Sequence, residues 1–271
     1  MRSTSVLDRP SSAETPPARD LLVLWQHPTT REIIPIGRFM RDGDVYTFSY
    51  TRAAADIADF RPLPGLGDLN RRYESTRFPA VFDQRVMETD RPDFAEYMAS
   101  IGLDPADVTP WEQIVESGGA RAGDTLQFMQ VPTVSRGQAR ARFFANGVRH
   151  VAEHERTVGG RIVQVTVDEQ ETALRALSVG DAVSIEAEDG NPADACAALI
   201  TTDGVPVGWV PRALSTSVRQ LLDSGPVSAT VGRIGAPGTP PHLRLVLDLD
   251  VPAPAGFQFD ADGLWEPLPT Q

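Results

Sequence analysis

The chain has 271 residues, with 25 basic against 37 acidic ones and a formal net charge of −12. Every basic residue is Arg, and without an ε-amine there is no Walker-type phosphate lysine, no protein-kinase ATP lysine and no Schiff base to pyridoxal phosphate. The single cysteine, Cys196, excludes an intrachain disulfide and a Cys-rich zinc module, and reads as a small buried side chain in a reducing compartment.

Residues 1–20 carry Pro, Ser, Thr and charge but no apolar core, so they read as a disordered leader rather than a signal peptide. No apolar run approaches the ~20 residues that span a bilayer, so a cytoplasmic protein with no membrane partner is expected. From Leu21 the pattern turns to strands, over 21–26, 32–40 and 45–51. The last two are joined by Arg41-Asp42-Gly43-Asp44, whose Asp-Gly pair signals a hairpin. Tyr46, Phe48 and Tyr50 alternate with Val45, Thr47 and Ser49, which puts three aromatics on one strand face, the pattern of a core. Residues 61–90 are irregular and hold Tyr73, Phe78 and Phe82; a connection of this length wraps a sheet or carries a site.

Helices are predicted next. Phe94, Tyr97, Met98 and Ile101 form one apolar face over 93–102. Thr109, Pro110 and Glu112 make a capping box for a helix that stops at Ser117-Gly118-Gly119. A strand follows over 126–131, and residues 132–137 interrupt the apolar pattern as a domain boundary would. The second half reads as strands over 141–150, 161–167, 182–187, 197–202, 205–210, 227–233 and 242–251. Helices are expected over 168–177 and 211–223, the latter stopping at Gly225. The tail after Pro252 is rich in Pro, Gly and acid and is expected to pack weakly.

Three motifs in the second half occur in a recognisable order. Gly147-Val148-Arg149-His150 precedes Val183-Ser184-Ile185-Glu186 and then Gly190-Asn191-Pro192-Ala193-Asp194-Ala195-Cys196-Ala197. Val207-Gly208-Trp209-Val210-Pro211-Arg212 comes last. Over residues 143–250 this resembles the HIRAN domain in order, spacing and intervening strands. The resemblance implies an OB-like barrel that occurs alone or fused to helicases and nucleases, and that in one branch grips the 3′ end of single-stranded DNA. Carried over residue by residue, Arg149 is the basic contact of the opening motif. Asn191 and Asp194 are the pocket loop, with the Asp194 carboxylate able to accept a terminal hydroxyl. The aromatics on which DNA-binding members stack bases are missing: His150 follows Arg149, Val151 comes next, and Ala193 precedes Asp194. Stacking is worth about 1–3 kcal/mol per base, so this is a serious departure. Trp209 is the one aromatic that could replace them, or it is a core tryptophan.

The first half resembles the N-terminal β-rich subdomain of HipA-type proteins, through Ile36-Gly37-Arg38-Phe39, Tyr46-Thr47-Phe48-Ser49-Tyr50, Phe60-Arg61-Pro62-Leu63-Pro64 and residues 78–82. There the subdomain precedes a kinase and contacts a DNA-binding partner; with no Lys the kinase is absent, and an interaction module is implied. The expected fold is therefore α+β, mainly β: a HipA N-terminal-like domain over 21–135, an OB-like HIRAN β-barrel over 140–252 and a tail over 253–271.

His150-Val151-Ala152-Glu153-His154 spells the inverted zincin motif, which needs both His one helical turn apart. The HIRAN match makes this segment a strand end and loop, where four residues span ~13 Å, so a chance match is the better reading and no metal is expected. No G-x-S-x-G exists, Cys196 has no nearby His, and Gly65-Leu66-Gly67 fits a turn; neither an enzyme nor a cofactor is expected.

Charge limits the nucleic-acid reading. Residues 1–140 hold 16 Arg and 20 acids, and residues 141–271 hold 9 Arg and 17 acids. A duplex binder needs a basic face. Between Arg136 and Arg161, however, six Arg (136, 140, 142, 149, 156 and 161) meet two acids, a local +4. Arg212 and Arg219 lie on the segment that the HIRAN resemblance folds beside the opening motif. The sequence thus points to recognition of a single-stranded nucleic acid, a DNA end or a damaged structure, through Arg149, His150, Asn191, Asp194, Trp209 and Arg212. A helicase, nuclease or kinase would be the protein partner. The alternative is a protein-interaction module of a toxin–antitoxin or phage-defence system.

Overall fold

The computed structural model describes residues 20–58, 60–121 and 125–270; of the expected leader, all but Asp20 lies outside the described residues. Two antiparallel sheets with helices on them make a mixed, mainly β structure. The first half runs β1 (Asp20–Gln26), β2 (Ile33–Asp42), β3 (Val45–Tyr50), α1 (Arg52–Ala55), β4 (Tyr73–Ser75), α2 (Ala80–Asp83), α3 (Phe94–Ser100), α4 (Pro110–Ser117) and β5 (Leu126–Gln130). Its strands lie in the order β4-β3-β2-β1-β5.

Local signals account for much of this. Asp42 pairs with Val45 across the Asp-Gly turn, with Gly43 at φ 56°. The Thr109–Glu112 capping box forms, and Gly118 ends α4 in the left-handed conformation. The aromatic face of β3 packs with Phe39, whose ring lies 4.8 Å from Phe82 and 5.0 Å from Trp111. The Tyr50 hydroxyl accepts from Leu63 N at 2.6 Å and donates to Leu66 O at 2.8 Å, which pins the irregular connection to the sheet. Burial there pushes the Tyr50 pKa up to about 12.

Strand β1 has no polar face because it is the wall between two cores. Leu21 and Val23 pack with the aromatics of the first half, whereas Leu22 and Leu24 pack with the second half. Each such side chain contributes roughly 1.5–3 kcal/mol when buried, so the uninterrupted apolar run at 21–24 joins the halves.

The second half runs β6 (Thr133–Ser135), β7 (Gln138–Phe144), a 3-10 turn (Val148–Glu153), β8 (Arg156–Val158), β9 (Arg161–Val163) and α5 (Val167–Ala176). It continues with β10 (Ala182–Asp189), β11 (Ala198–Thr202), β12 (Val205–Trp209), α6 (Arg212–Ser224), β13 (Val227–Ile234), a second 3-10 turn (Pro241–Leu243) and β14 (Leu245–Pro252). The order is β12-β11-β10-β13-β14-β7-β6, with the β8–β9 hairpin attached to the end of β10. The ladders do not close into a barrel. One isolated bridge, Asn146 to Trp209, links the chain beyond β7 to β12.

Four expectations need correction. The strand over 161–167 stops at Val163, and Val167 already opens α5. The strand over 141–150 ends at Phe144, and residues 148–153 coil into the 3-10 turn. The H-x-x-E-H letters therefore start on that turn and end with His154 just past it, rather than on a strand end and loop, and no group of three metal-ligating side chains occurs among the described residues. The tail does not pack weakly. Phe259 and Trp265 enter the core of the second half, Leu268 N donates to Tyr50 O, and Pro267 bridges Thr51. It straps one half to the other.

Candidate nucleic-acid interface

The candidate site forms where the chain leaves β7 and meets β12. Asn146 N donates to Trp209 O at 2.8 Å and Trp209 N to Asn146 O at 2.9 Å. This close approach requires glycine at 147 and leaves little room for a side chain at 208. Gly147 sits at φ 64°, and a Cβ there would lie 2.5 Å from the Trp209 ring. A Cβ on Gly208 would lie 3.1 Å from Ala145 Cβ and 3.2 Å from Asn146 O. The 3-10 turn that follows buries Val148 and Val151 and leaves Arg149 and His150 exposed.

A buried carboxylate organises the site. Glu188 is 2% exposed. Its Oε2 accepts from Trp209 Nε1 and from Asn191 Nδ2, both at 2.6 Å, and its Oε1 lies 3.5 Å from the Arg156 guanidinium. Burial of an ionised carboxylate is tolerated only with such partners. Arg156 also lies 4.8 Å over the Trp209 ring and donates to His150 O at 3.0 Å. Trp209 is therefore half-buried, with its N–H engaged and Arg156 over its ring.

The loop after β10 is shaped by its own side chains. Asn191 Oδ1 accepts from Ala193 N at 2.9 Å and Asp194 N at 3.2 Å, and Asp194 Oδ1 accepts from Cys196 N at 2.9 Å. Arg212 donates to Ala193 O and, at 3.2 Å, to Arg31 O in the turn between β1 and β2. Arg149 Nε donates to His150 Nε2 at 2.8 Å. All six residues expected from the sequence thus belong to one chain of contacts.

Glu188 and Arg156 are the members the sequence motifs miss. Along β10 the buried positions are Val183 and Ile185, so strict alternation points Glu188 outward. The burial falls where the β8–β9 hairpin attaches to the end of β10, with Val158 paired opposite Glu188. Its three-residue strands carry no periodic signal.

Electrostatics separate the site from its surroundings. The local +4 counted between Arg136 and Arg161 is largely neutralised by strands distant in sequence. Arg140 and Arg142 pair with Asp250 and Asp248 of β14; Arg156 and Arg161 pair with Glu188 and Glu186 of β10. Of the nine Arg in residues 141–271, seven (142, 156, 161, 175, 219, 233 and 244) form carboxylate ion pairs. Among the described residues, Arg149 and Arg212 are the two that do not. A shallow crevice runs beside Arg212 between the halves and is also lined by Ile33, Phe144, Asn146 and Pro211. No family model, curated protein or solved structure matches the chain.

Proposed function

We propose that the protein is a non-catalytic nucleic-acid-binding protein that holds the end of a single strand at the β7–β12 seam. The observation that carries this is the pair Arg149 and Arg212, the two arginines of the second half with no carboxylate partner among the described residues, both joined by contacts to the Asn191–Glu188–Trp209 network. A phosphate needs such uncompensated donors, and Arg offers them in a fixed fork. The half-buried Asp194 has one oxygen engaged with Cys196 N, which leaves the other for a terminal hydroxyl. The single Asn146–Trp209 bridge supports the reading of the six strands β7 and β10–β14 as an OB-like barrel left incompletely closed, with the HIRAN-like motifs lining the opening. Arg156 over Trp209 argues for a wall rather than a stacking platform at that position. The net charge of −12 and the neutralised cluster restrict the ligand to a strand end in a pocket rather than coated duplex.

Anisotropy of labelled 3′- and 5′-ended single strands at low salt tests this. Salt-sensitive binding that Arg149→Ala weakens about five- to tenfold is expected, and no binding to either end would overturn the reading.

A second reading, a protein-interaction module, has its own support: Ile162 on the β8–β9 hairpin and Val167 at the start of α5 are each 70% exposed, apolar side chains turned to solvent. Affinity capture that yields no stoichiometric protein partner would count against it.

A further inference from the structure

We infer that the first half completes the binding site, with Arg31 supplying a second backbone-phosphate contact for the single strand beyond its end. This rests on the reading of the seam as a strand-end pocket and adds a residue that neither family-like motif contains. The turn between β1 and β2 is built to hold one conformation. His27 Nδ1 accepts from Thr29 N and Thr30 N, both at 3.2 Å, and His27 N donates to Glu32 O at 2.8 Å. The carbonyl of Arg31 accepts from Gln26 Nε2 at 3.3 Å and from the Arg212 guanidinium at 3.2 Å. Arg212, one of the two uncompensated arginines of the pocket, is thus fastened directly to the backbone of Arg31.

The residue type at this position is informative. Arg31 has φ 61°, a left-handed conformation that Gly adopts without strain and that costs a non-glycine residue stability. An exposed arginine stands there instead, and its side chain has no carboxylate partner among the described residues. Its backbone carbonyl is held by Arg212, and it stands two residues before Ile33, which lines the crevice, so it carries positive charge from the second half onto the first. A chain of phosphates leaving the pocket along this side would meet Arg149 or Arg212 first and Arg31 next. The ligand class is therefore a single-stranded nucleic acid longer than its terminal nucleotide.

Arg31→Gly tests this without endangering the fold, because it removes the cation and suits the left-handed backbone. Its melting temperature should equal or exceed that of the native chain. With the same labelled single strand, it should bind about three- to fivefold more weakly at low salt, with a slope of log K against log salt shallower by about 0.7, while Arg31→Lys retains most of the affinity. If the native chain binds and Arg31→Gly binds with the same affinity and slope, the Arg31 contact is wrong and the strand-end reading stands. If the native chain binds no single strand at all, both fall.

Discussion

Two polar networks in this molecule use the same chemistry and end differently. At the junction of the halves, Arg233 donates to Glu116 O at 2.7 Å, to Glu116 Oε2 at 3.0 Å and to Ile101 O, and packs 5.8 Å over Phe144. Arg142 reaches Glu116 and Asp248. Burial holds the Arg233 guanidinium below its usual range, opposed by Glu116. Each cation here faces a carboxylate, and the network is closed. At the seam, Glu188 draws Arg156, Asn191 and Trp209 together in the same way, but the residues around it include Arg149 and Arg212, which meet no acid among the described residues. A closed network fixes two parts of a fold to each other; an open one leaves donors for something from outside.

The largest expected effect separates the two networks. Glu188→Ala leaves Arg156 buried without its counter-ion and unpairs Trp209 Nε1 and Asn191 Nδ2, so urea unfolding should show a loss of about 3–5 kcal/mol. Strand binding should weaken with it, because the loop at Asn191 loses its anchor. Glu116→Ala removes a more exposed partner and should lower stability by about 1–3 kcal/mol while leaving single-strand affinity unchanged under native conditions. If Glu116→Ala reduces binding as much as Glu188→Ala, the contrast between closed and open networks fails. The smallest effect concerns His242 on the second 3-10 turn, a solvent-exposed side chain whose ring is partly desolvated by its neighbours, which lowers its pKa from the ordinary 6.5. The unfolded chain then takes up a proton near that pH which the folded chain refuses, so stability falls as the pH drops through about 6.5 and levels off below the folded value. Denaturation across pH 5–8 should show this decline reduced in His242→Gln.

How much of this was legible in the sequence depended on whether the signal was local. The Asp42-Gly43 hairpin, the Thr109 capping box and the Gly225 stop of α6 involve neighbours within a few residues, and the structure contains all three. The six candidate site residues were legible through short motifs whose glycines, Gly147 and Gly208, have a steric reason at the seam. Glu188 was hidden because an outward position is buried where a hairpin of three-residue strands attaches. The neutralisation of the Arg cluster was hidden because its acids arrive from β10 and β14, the latter about a hundred residues away in the chain. The tail looked loose by composition, yet Phe259 and Trp265 find places in a core assembled from both halves.

The most direct test compares arginines of different status under one titration. Salt-dependent binding of a labelled single strand should be measured for the native chain, for Arg149→Ala and Arg212→Ala, and for Arg175→Ala, which removes an equal charge from a surface ion pair with Glu171. The first two variants should lose affinity about five- to tenfold, each with a slope shallower by about 0.7, and Arg175→Ala should match the native chain. Equal losses in all three variants would reduce the site to diffuse charge, and no binding by the native chain would rule out a strand-end pocket at the seam.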